Sequence, residues 1–355
     1  MDQTAYLRQI VPELTAWYRT NARPLPWRET PEPYRIWISE IMLQQTRIEA
    51  VKPYYQRFLE AFPDVAALAA APEETVLKLW EGLGYYSRAR NLQKTAQICV
   101  ESYGGDLPRT YSQLVKLPGI GPYTAGAIAS IAWGERVPAV DGNVLRVLSR
   151  LLENGADIGQ PGVKKAAEKQ IREILPEEHP GDFNEGIMEL GETVCIPGGK
   201  PLCEICPLQA FCLAHRHGTE EVFPVKAPKK PRRVEEWTIL RLEVDGRVAV
   251  RKRPSKGLLA GLYEFPAQAG LWTASQVEQW LQKQGVQTFF IESMGRSRHI
   301  FTHVEWQMLG YRIQLDQEAP GDWNFVPWEQ VRRSYPLPTA LQAYWKEARP
   351  VEEKI

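Results

Sequence analysis

Apolar positions recur every three to four residues over much of the first half of the chain, and at alternate residues in parts of the last third. Residues 5–20 line up Tyr6, Leu7, Ile10, Val11, Leu14, Trp17 and Tyr18 on one helical face. Residues 34–51 (YRIWISEIMLQQTRIEAV) predict a second helix, residues 64–103 two more, and residues 144–190 a closing helical run. Between these, a periodic segment from Tyr111 ends at Leu117 and meets Pro118-Gly119-Ile120-Gly121-Pro122, with another helical run starting near Thr124. A proline at each end stops one helix and suits the first turn of the next, while the glycines permit a tight hairpin. No strand pattern occurs before about residue 236, so this half is all-α. Residues 226–233 (KAPKKPRR) are basic, proline-punctuated and aperiodic, the signature of a semi-rigid linker. Beyond them, 237–244 and 247–251 flank Asp245-Gly246 as a strand–turn–strand unit. Further strands fit 288–294, 300–306 and 308–315, and helices fit 274–284 and 339–348, so the second half is α+β.

At 355 residues the chain exceeds one comfortable domain, and the pattern divides it into 1–225, the linker 226–233, and 234–355. Lysine plus arginine (43) equals aspartate plus glutamate (43). Any nucleic-acid binding must therefore rest on local charge and backbone donors. The opening residues Met1-Asp2-Gln3-Thr4 are not a signal peptide and no apolar run spans a bilayer, so a cytoplasmic protein (nucleoid-associated if bacterial) without a membrane partner is expected. Four of the five cysteines fall within 195–212, which in a reducing compartment points to a metal site. The spacing Cys195-x7-Cys203-x2-Cys206-x5-Cys212 suits tetrahedral zinc and an iron–sulfur cluster equally. Cys99, beside Ile98 and Val100 in an amphipathic segment, is expected to be a buried small apolar residue.

The hairpin residues Gly119, Ile120 and Gly121, with the helix start after them, can aim several backbone N–H groups at one anion. Asp141, twenty residues after Gly121, precedes the apolar run Val144, Leu145, Val147 and Leu148. It can cap that helix or carry chemistry. Glu40 shares a helical face with Trp37 and Leu43, and a carboxyl among apolar neighbours has the raised pKa that a general acid near neutral pH needs. Gln44, Gln45 and Thr46 offer uncharged groups suited to base edges. In Gly82-Leu83-Gly84-Tyr85-Tyr86-Ser87-Arg88 the glycines free a loop able to push an aromatic into a base stack, with one of the two tyrosines expected to pack in the core.

Leu117-Pro118-Gly119-Ile120-Gly121 followed by Val140-Asp141 resembles the helix–hairpin–helix superfamily of DNA glycosylases. Ser39-Glu40-Ile41-Met42-Leu43-Gln44-Gln45-Thr46, the Gly82–Arg88 stretch and Asp141-Gly142-Asn143-Val144 narrow that resemblance to the MutY-type adenine DNA glycosylases. The resemblance implies Glu40 as the acid that protonates adenine and Asp141 as the carboxylate that stabilises or traps the sugar cation, assisted by Tyr123 and Asn143. It implies an adenine pocket lined by Trp27, Arg28, Leu43 and Glu185, Tyr85 as the wedge, and a [4Fe–4S] cluster on Cys195, Cys203, Cys206 and Cys212. The family's usual first cysteine spacing is six; here it is seven, with Gly198-Gly199 available to absorb the extra residue. Bifunctional relatives resembling endonuclease III carry a Schiff-base lysine where Tyr123 stands, so a monofunctional, hydrolytic enzyme is implied. Gly261-Leu262-Tyr263-Glu264-Phe265-Pro266, a following helix and Gly285 resemble a Nudix fold, but Gln279, Gln282 and Lys283 stand where metal-binding carboxylates would. The fold class implied is an all-α glycosylase domain with an iron–sulfur loop plus an α+β, Nudix-like C-terminal domain. That second domain looks like the module that recognises 8-oxoguanine, through Phe301-Thr302-His303 where the family usually has Phe-Ser-His. The implied partner is double-stranded DNA with adenine opposite 8-oxoguanine or guanine, bound by a monomer. Two alternatives are a mismatch glycosylase for another base such as thymine, and a catalytically silent lesion-binding protein that would need neither Glu40 nor Asp141.

Overall fold

The computed structural model describes residues 2–228, 231–287 and 289–345. Contacts divide the chain into two units, Met1–Ala70 with Asn91–Pro228, and Ala71–Arg90 with Lys229–Ile355. Helices come first in chain order: α1 (Gln3–Arg8), α2 (Ile10–Asn21), α3 (Pro26–Glu29), α4 (Pro33–Leu43), α5 (Ile48–Ala61), α6 (Val65–Ala70), α7 (Glu73–Leu79) and α8 (Ser87–Ser102). They continue with α9 (Tyr111–Leu114), α10 (Pro122–Trp133), α11 (Gly142–Leu151), α12 (Pro161–Ile174), α13 (Pro180–Thr193) and α14 (Leu213–His217). All belong to the first unit except α7 and the first turn of α8.

Three sequence expectations need correction here. The helix expected over 34–51 breaks at Gln44–Arg47, where Gln45 adopts φ 59°. The helices α4 and α5 pack against each other, so Val51, Tyr55 and Phe58 can join the α4 side chains in one core only if the chain turns back. The helix expected over 5–20 pauses at Gln9, the shared cap of α1 and α2. Residues 64–103 hold three helices rather than two, because Pro72 sits extended at the N-cap of α7 and ends the preceding turn.

In the hairpin, Pro118 precedes Gly119 at φ 77°, a left-handed conformation that any side chain would strain. A Cβ on Gly119 would also stand 2.7 Å from Asn91 Cβ. Gly121 caps α10 and Pro122 occupies its first turn. Small residues along α10 let the extended segment after it come close, and a Cβ on Gly126 would fall 2.1 Å from the Pro138 carbonyl oxygen. Asn184 of α13, fully buried, pins the same segment. Its Oδ1 accepts from Ala139 N (3.1 Å), and its Nδ2 donates to Val137 O (2.9 Å) and Ser130 Oγ (2.9 Å). That segment delivers Asp141 to the start of α11. The main helical core joins Leu7, Ile10 and Leu14 to Val144, Val147, Ile171, Phe183, Ile187 and Leu190. Cys99 is fully buried, as expected.

The second unit is built on a mixed sheet of β1 (Arg233–Val244), β2 (Arg247–Lys252), β3 (Tyr263–Glu264), β4 (Ala267–Ala269), β5 (Phe289–Ile300), β6 (Val304–Leu315) and β7 (Asn324–Pro327). Its central order is β3-β2-β1-β6-β5, with β4 pairing β1 and β7 pairing β2. Alternation along β1 sends Leu240, Leu242 and Val244 to one face, covered by Val277 and Leu281 of α15 (Ala274–Lys283). Ile239 faces the other side with Val331 of α16 (Trp328–Ser334) and Tyr344 of α17 (Gln342–Trp345). A Thr273/Gln276 capping box starts α15. The strands expected at 300–306 and 308–315 are one strand, β6, because pairing with β1 runs unbroken from Arg233↔Val304 to Glu243↔Gln314. Thr288 and residues 346–348, parts of an expected strand and an expected helix, lie outside the described residues, as do linker residues 229–230.

Candidate active site and metal centre

Glu40 lies in α4, Tyr123 in the first turn of α10, Asp141 at the N-cap of α11 and Glu185 in α13; the structure brings their charges within electrostatic reach in the first unit. Glu40 is buried, and its Oε2 has no hydrogen-bond partner among the described residues. Burial pushes its carboxyl from 4.5 up to about 7; a hydrogen bond from Tyr123 opposes this, while the charges of Glu185 and Asp141 reinforce it. The Tyr123 hydroxyl also lies 3.2 Å from Met188 Sδ, and burial beside Glu40 and Asp141 raises its pKa further. Glu40 is thus a carboxyl able to hold a proton near neutrality with one oxygen unengaged.

Asp141 is the helix cap that its position suggested. Its Oδ1 accepts from Asn143 N (2.8 Å) and Val144 N (2.9 Å), and its Oδ2 from Asn143 Nδ2 (2.8 Å). Burial raises its pKa, while the backbone donors of Val144 and Asn143 pull it down. Asn143 is held in turn by Arg146, whose Nη2 donates to Asn143 Oδ1 (2.8 Å) and Gly191 O (2.7 Å) and whose Nε donates to Cys195 O (2.8 Å). Arg146, one helical turn beyond Asn143, was not singled out from the sequence, although that spacing was its only signal.

The expected pocket residues fall into two groups. Arg28 is held by Glu185 Oε1 (3.2 Å) and Glu189 Oε2 (3.0 Å), with its guanidinium 5.4 Å from the Tyr18 ring centre. Glu189, buried and also paired with Arg23, was missed because nothing in α13's pattern marks it as a buried ion. Trp27 is buried edge-on against Tyr55, with ring centres 5.3 Å apart. Leu43 is half-buried, Gln44 donates from Nε2 to Thr124 Oγ1 (3.2 Å), and Gln45 is exposed in the α4–α5 turn rather than on a helix. Gly119 and Gly121 of the hairpin are exposed while Ile120 is buried beneath them.

Tyr85, Phe301, Thr302 and His303 belong to the second unit, whereas Glu40 and Asp141 belong to the first. Tyr86 is the packed tyrosine of the pair, whereas Tyr85 is 47% exposed at φ 47°. Phe301, Thr302 and His303 form the tip between β5 and β6, with Thr302 and His303 exposed and Phe301 packed edge-on against Trp306 (5.0 Å) and His299 (4.6 Å).

The four clustered cysteines are free thiols in the loop between α13 and α14, and Cys195, Cys206 and Cys212 pack on the helical core. Burial raises Cys206 to about 12 and Cys203 to about 11, so these thiols ionise near neutrality only when a cation compensates. Arg150 ties the loop to α11, reaching Cys195 Sγ (3.2 Å), Ile196 O (3.0 Å) and Glu220 O (2.9 Å). Cys203, His215 and Glu220 form a group that could hold a metal ion.

A buried acid, a capped carboxylate and a hairpin on one set of helices call for comparison with known proteins. Residues 38–176 match the HhH-GPD superfamily of base excision DNA repair proteins, and residues 237–347 match the NUDIX domain. A Rattus norvegicus protein described as adenine DNA glycosylase is 34% identical over 94% of this chain and 76% of its own. Its Homo sapiens counterpart is 36% identical over 86% of this chain and 67% of its own. The chain belongs to the adenine DNA glycosylase family. It is therefore a DNA glycosylase of base excision repair. Among solved structures, a thermostable thymine-DNA glycosylase superposes with a TM-score of 0.54 at 29% identity, covering 61% of this chain and 100% of that one. A trapped endonuclease III–DNA covalent intermediate gives 0.52 at 25%, over 61% and 99% respectively. The Nudix-like assignment of the second half agrees with the domain match, and no described helix is long and apolar enough to cross a membrane.

Proposed function

We propose that this enzyme hydrolyses the N-glycosidic bond of adenine mispaired with 8-oxoguanine or guanine in double-stranded DNA, without cutting the strand. The observation that carries the reading is the buried, half-unpartnered Glu40 with its carboxyl raised to about 7, alongside Tyr123 rather than a lysine. The adenine must leave the duplex to be reached. Glu40 then gives its proton to a ring nitrogen of adenine, making it a competent leaving group. As the bond lengthens, its electrons pass to the protonated adenine and positive charge grows on the sugar. The Asp141 carboxylate, fixed by its backbone donors and Asn143, stabilises or traps that cation. Water then adds to the anomeric carbon and gives up a proton, completing the hydrolysis. Tyr123 orients Glu40, while Trp27, Arg28, Leu43 and Glu185 bound the adenine pocket and Gln44 and Gln45 meet base edges of the opened duplex. Gly119, Ile120 and Gly121 grip backbone phosphate through their N–H groups.

The division of labour we propose is a catalytic part at 1–225, the linker 226–233, and a recognition part at 234–355, with Tyr85 as the wedge and Phe301, Thr302 and His303 reading the purine opposite adenine. For the metal centre we propose a [4Fe–4S] cluster on Cys195, Cys203, Cys206 and Cys212. The choice over tetrahedral zinc rests on the resemblance to the family, because the cysteine spacing suits either. When bound, that group would supply iron cations that compensate the charge of the four thiolates and cross-link the loop; excision needs no redox chemistry.

The test is single-turnover reaction of a duplex carrying adenine opposite 8-oxoguanine, analysed with and without alkali. Strand breaks that depend on alkali support monofunctional excision. Breaks without alkali would mean a lyase nucleophile, and tight binding without excision would mean a silent lesion-binding protein.

A further inference from the structure

The Tyr85 hydroxyl and the Thr302 hydroxyl lie 3.1 Å apart, 217 residues distant in sequence but inside one unit. Both partners are held in place from behind. Arg88 is buried under the Tyr85 loop, with its guanidinium 5.5 Å from the Tyr85 ring centre and its Nη2 donating to Leu83 O and Gly84 O (3.2 Å each). Helix α7 and the turn after it anchor the start of that loop to the rest of the unit, with Glu81 Oε1 accepting from Leu337 N (2.7 Å) and Glu74 Oε1 from the Tyr263 hydroxyl (2.8 Å). On the other side, the hairpin tip is closed by Phe301 N donating to Val304 O (2.8 Å), and Arg233 N donates to His303 O (3.2 Å).

We propose that Tyr85, through its hydroxyl, is a specificity-determining positioning residue that sets the direction of the Thr302 hydroxyl toward the purine opposite adenine. The inference rests on the reading of Phe301–His303 as the recognition tip. Guanine and 8-oxoguanine differ on that edge in two respects that a hydroxyl can sense: N7 is a bare acceptor in guanine but carries a proton in the lesion, and C8–H is replaced by a carbonyl acceptor. A lone threonine hydroxyl rotates to suit either partner. In the proposed pairing Thr302 donates to the Tyr85 hydroxyl, which leaves its oxygen to accept from the N7–H of the lesion; to serve the bare N7 of guanine it must break or reverse that bond. The methyl group that distinguishes Thr302 from a serine further restricts its rotation.

The experiment measures single-turnover excision of adenine opposite 8-oxoguanine and opposite guanine by the full-length protein, Tyr85→Phe, Thr302→Val and the double variant. Tyr85→Phe keeps the aromatic ring and removes only the oxygen. The readout is the ratio of the two rates, in which a folding defect cancels. The expected result is a fall of about five- to tenfold in that ratio for each single variant, the value of one hydrogen bond, with no further fall in the double variant. An unchanged ratio in Tyr85→Phe with a lowered one in Thr302→Val overturns the proposal and leaves the recognition reading standing. An unchanged ratio in Thr302→Val overturns the recognition reading and this inference with it. Falls that add in the double variant also overturn the pairing.

Discussion

Replacing Glu40 by Gln should abolish excision and at the same time make the fold more resistant to base. An ordinary glutamate titrates at 4.5, whereas burial holds Glu40 near 7. Because the folded pKa lies above the unfolded one, the neutral carboxyl carries no penalty below about pH 4.5. Stability is then lost as pH rises through the interval, reaching its full deficit above pH 7. At about 1.4 kcal/mol per tenfold displacement, the interval from 4.5 to 7 corresponds to about 3 kcal/mol. Glutamine is neutral throughout and escapes this cost. The advantage of Glu40→Gln over the parent, measured by urea denaturation, should therefore grow by about 2–3 kcal/mol between pH 5 and pH 8. Any fixed effect of the amide on hydrogen bonding cancels in that comparison. The parent's single-turnover excision rate should fall as pH rises above about 7, since the acid must carry its proton. An advantage that does not change with pH would refute the claim that Glu40 stays protonated to near neutrality in the fold.

Three further outcomes follow from the geometry. Asp141→Asn should keep helix α11 intact, since asparagine caps as well as aspartate, while excision under single-turnover conditions drops roughly a thousandfold; near-normal turnover would remove Asp141 from the chemistry. Gly126→Ala would stabilise an open helix by roughly 1 kcal/mol, yet here the new Cβ meets Pro138 O, so the melting temperature and the excision rate should both fall. Cys206→Ser should deplete bound iron, measured by elemental analysis and visible absorbance, and loosen the loop to proteolysis; stoichiometric zinc in the parent protein would contradict the cluster.

Much of the site was legible because its signals are local. Glu40 could be read from its apolar neighbours three residues either side, and the hairpin from its glycines and prolines. Asp141 was visible both as a cap and as a reactive carboxylate, and the fold has it doing the first while its charge couples to Glu40. What escaped the sequence is non-local. Asn184 pins a segment 45 residues away, Glu189 gathers two arginines from 161 and 166 residues upstream, and β6 is one strand because its pairing with β1 sets its length. Helical periodicity likewise continues through Gln44–Arg47, since it reports which residues are apolar and not where packing demands a reversal.

Helix α10 carries two things at once: Gly121, the end of the hairpin, caps it, and Gly126 on its side is where the Pro138 carbonyl rests on the way to Asp141. Five residues of α-helix separate them, about 7.5 Å along the axis. On the proposed reading, one rigid rod thus acts as a ruler between the place where the DNA backbone is gripped and the place where a sugar is attacked. The enzyme would count off a fixed offset from a phosphate, so selecting which nucleotide loses its base would be a matter of registration before it is one of base identity.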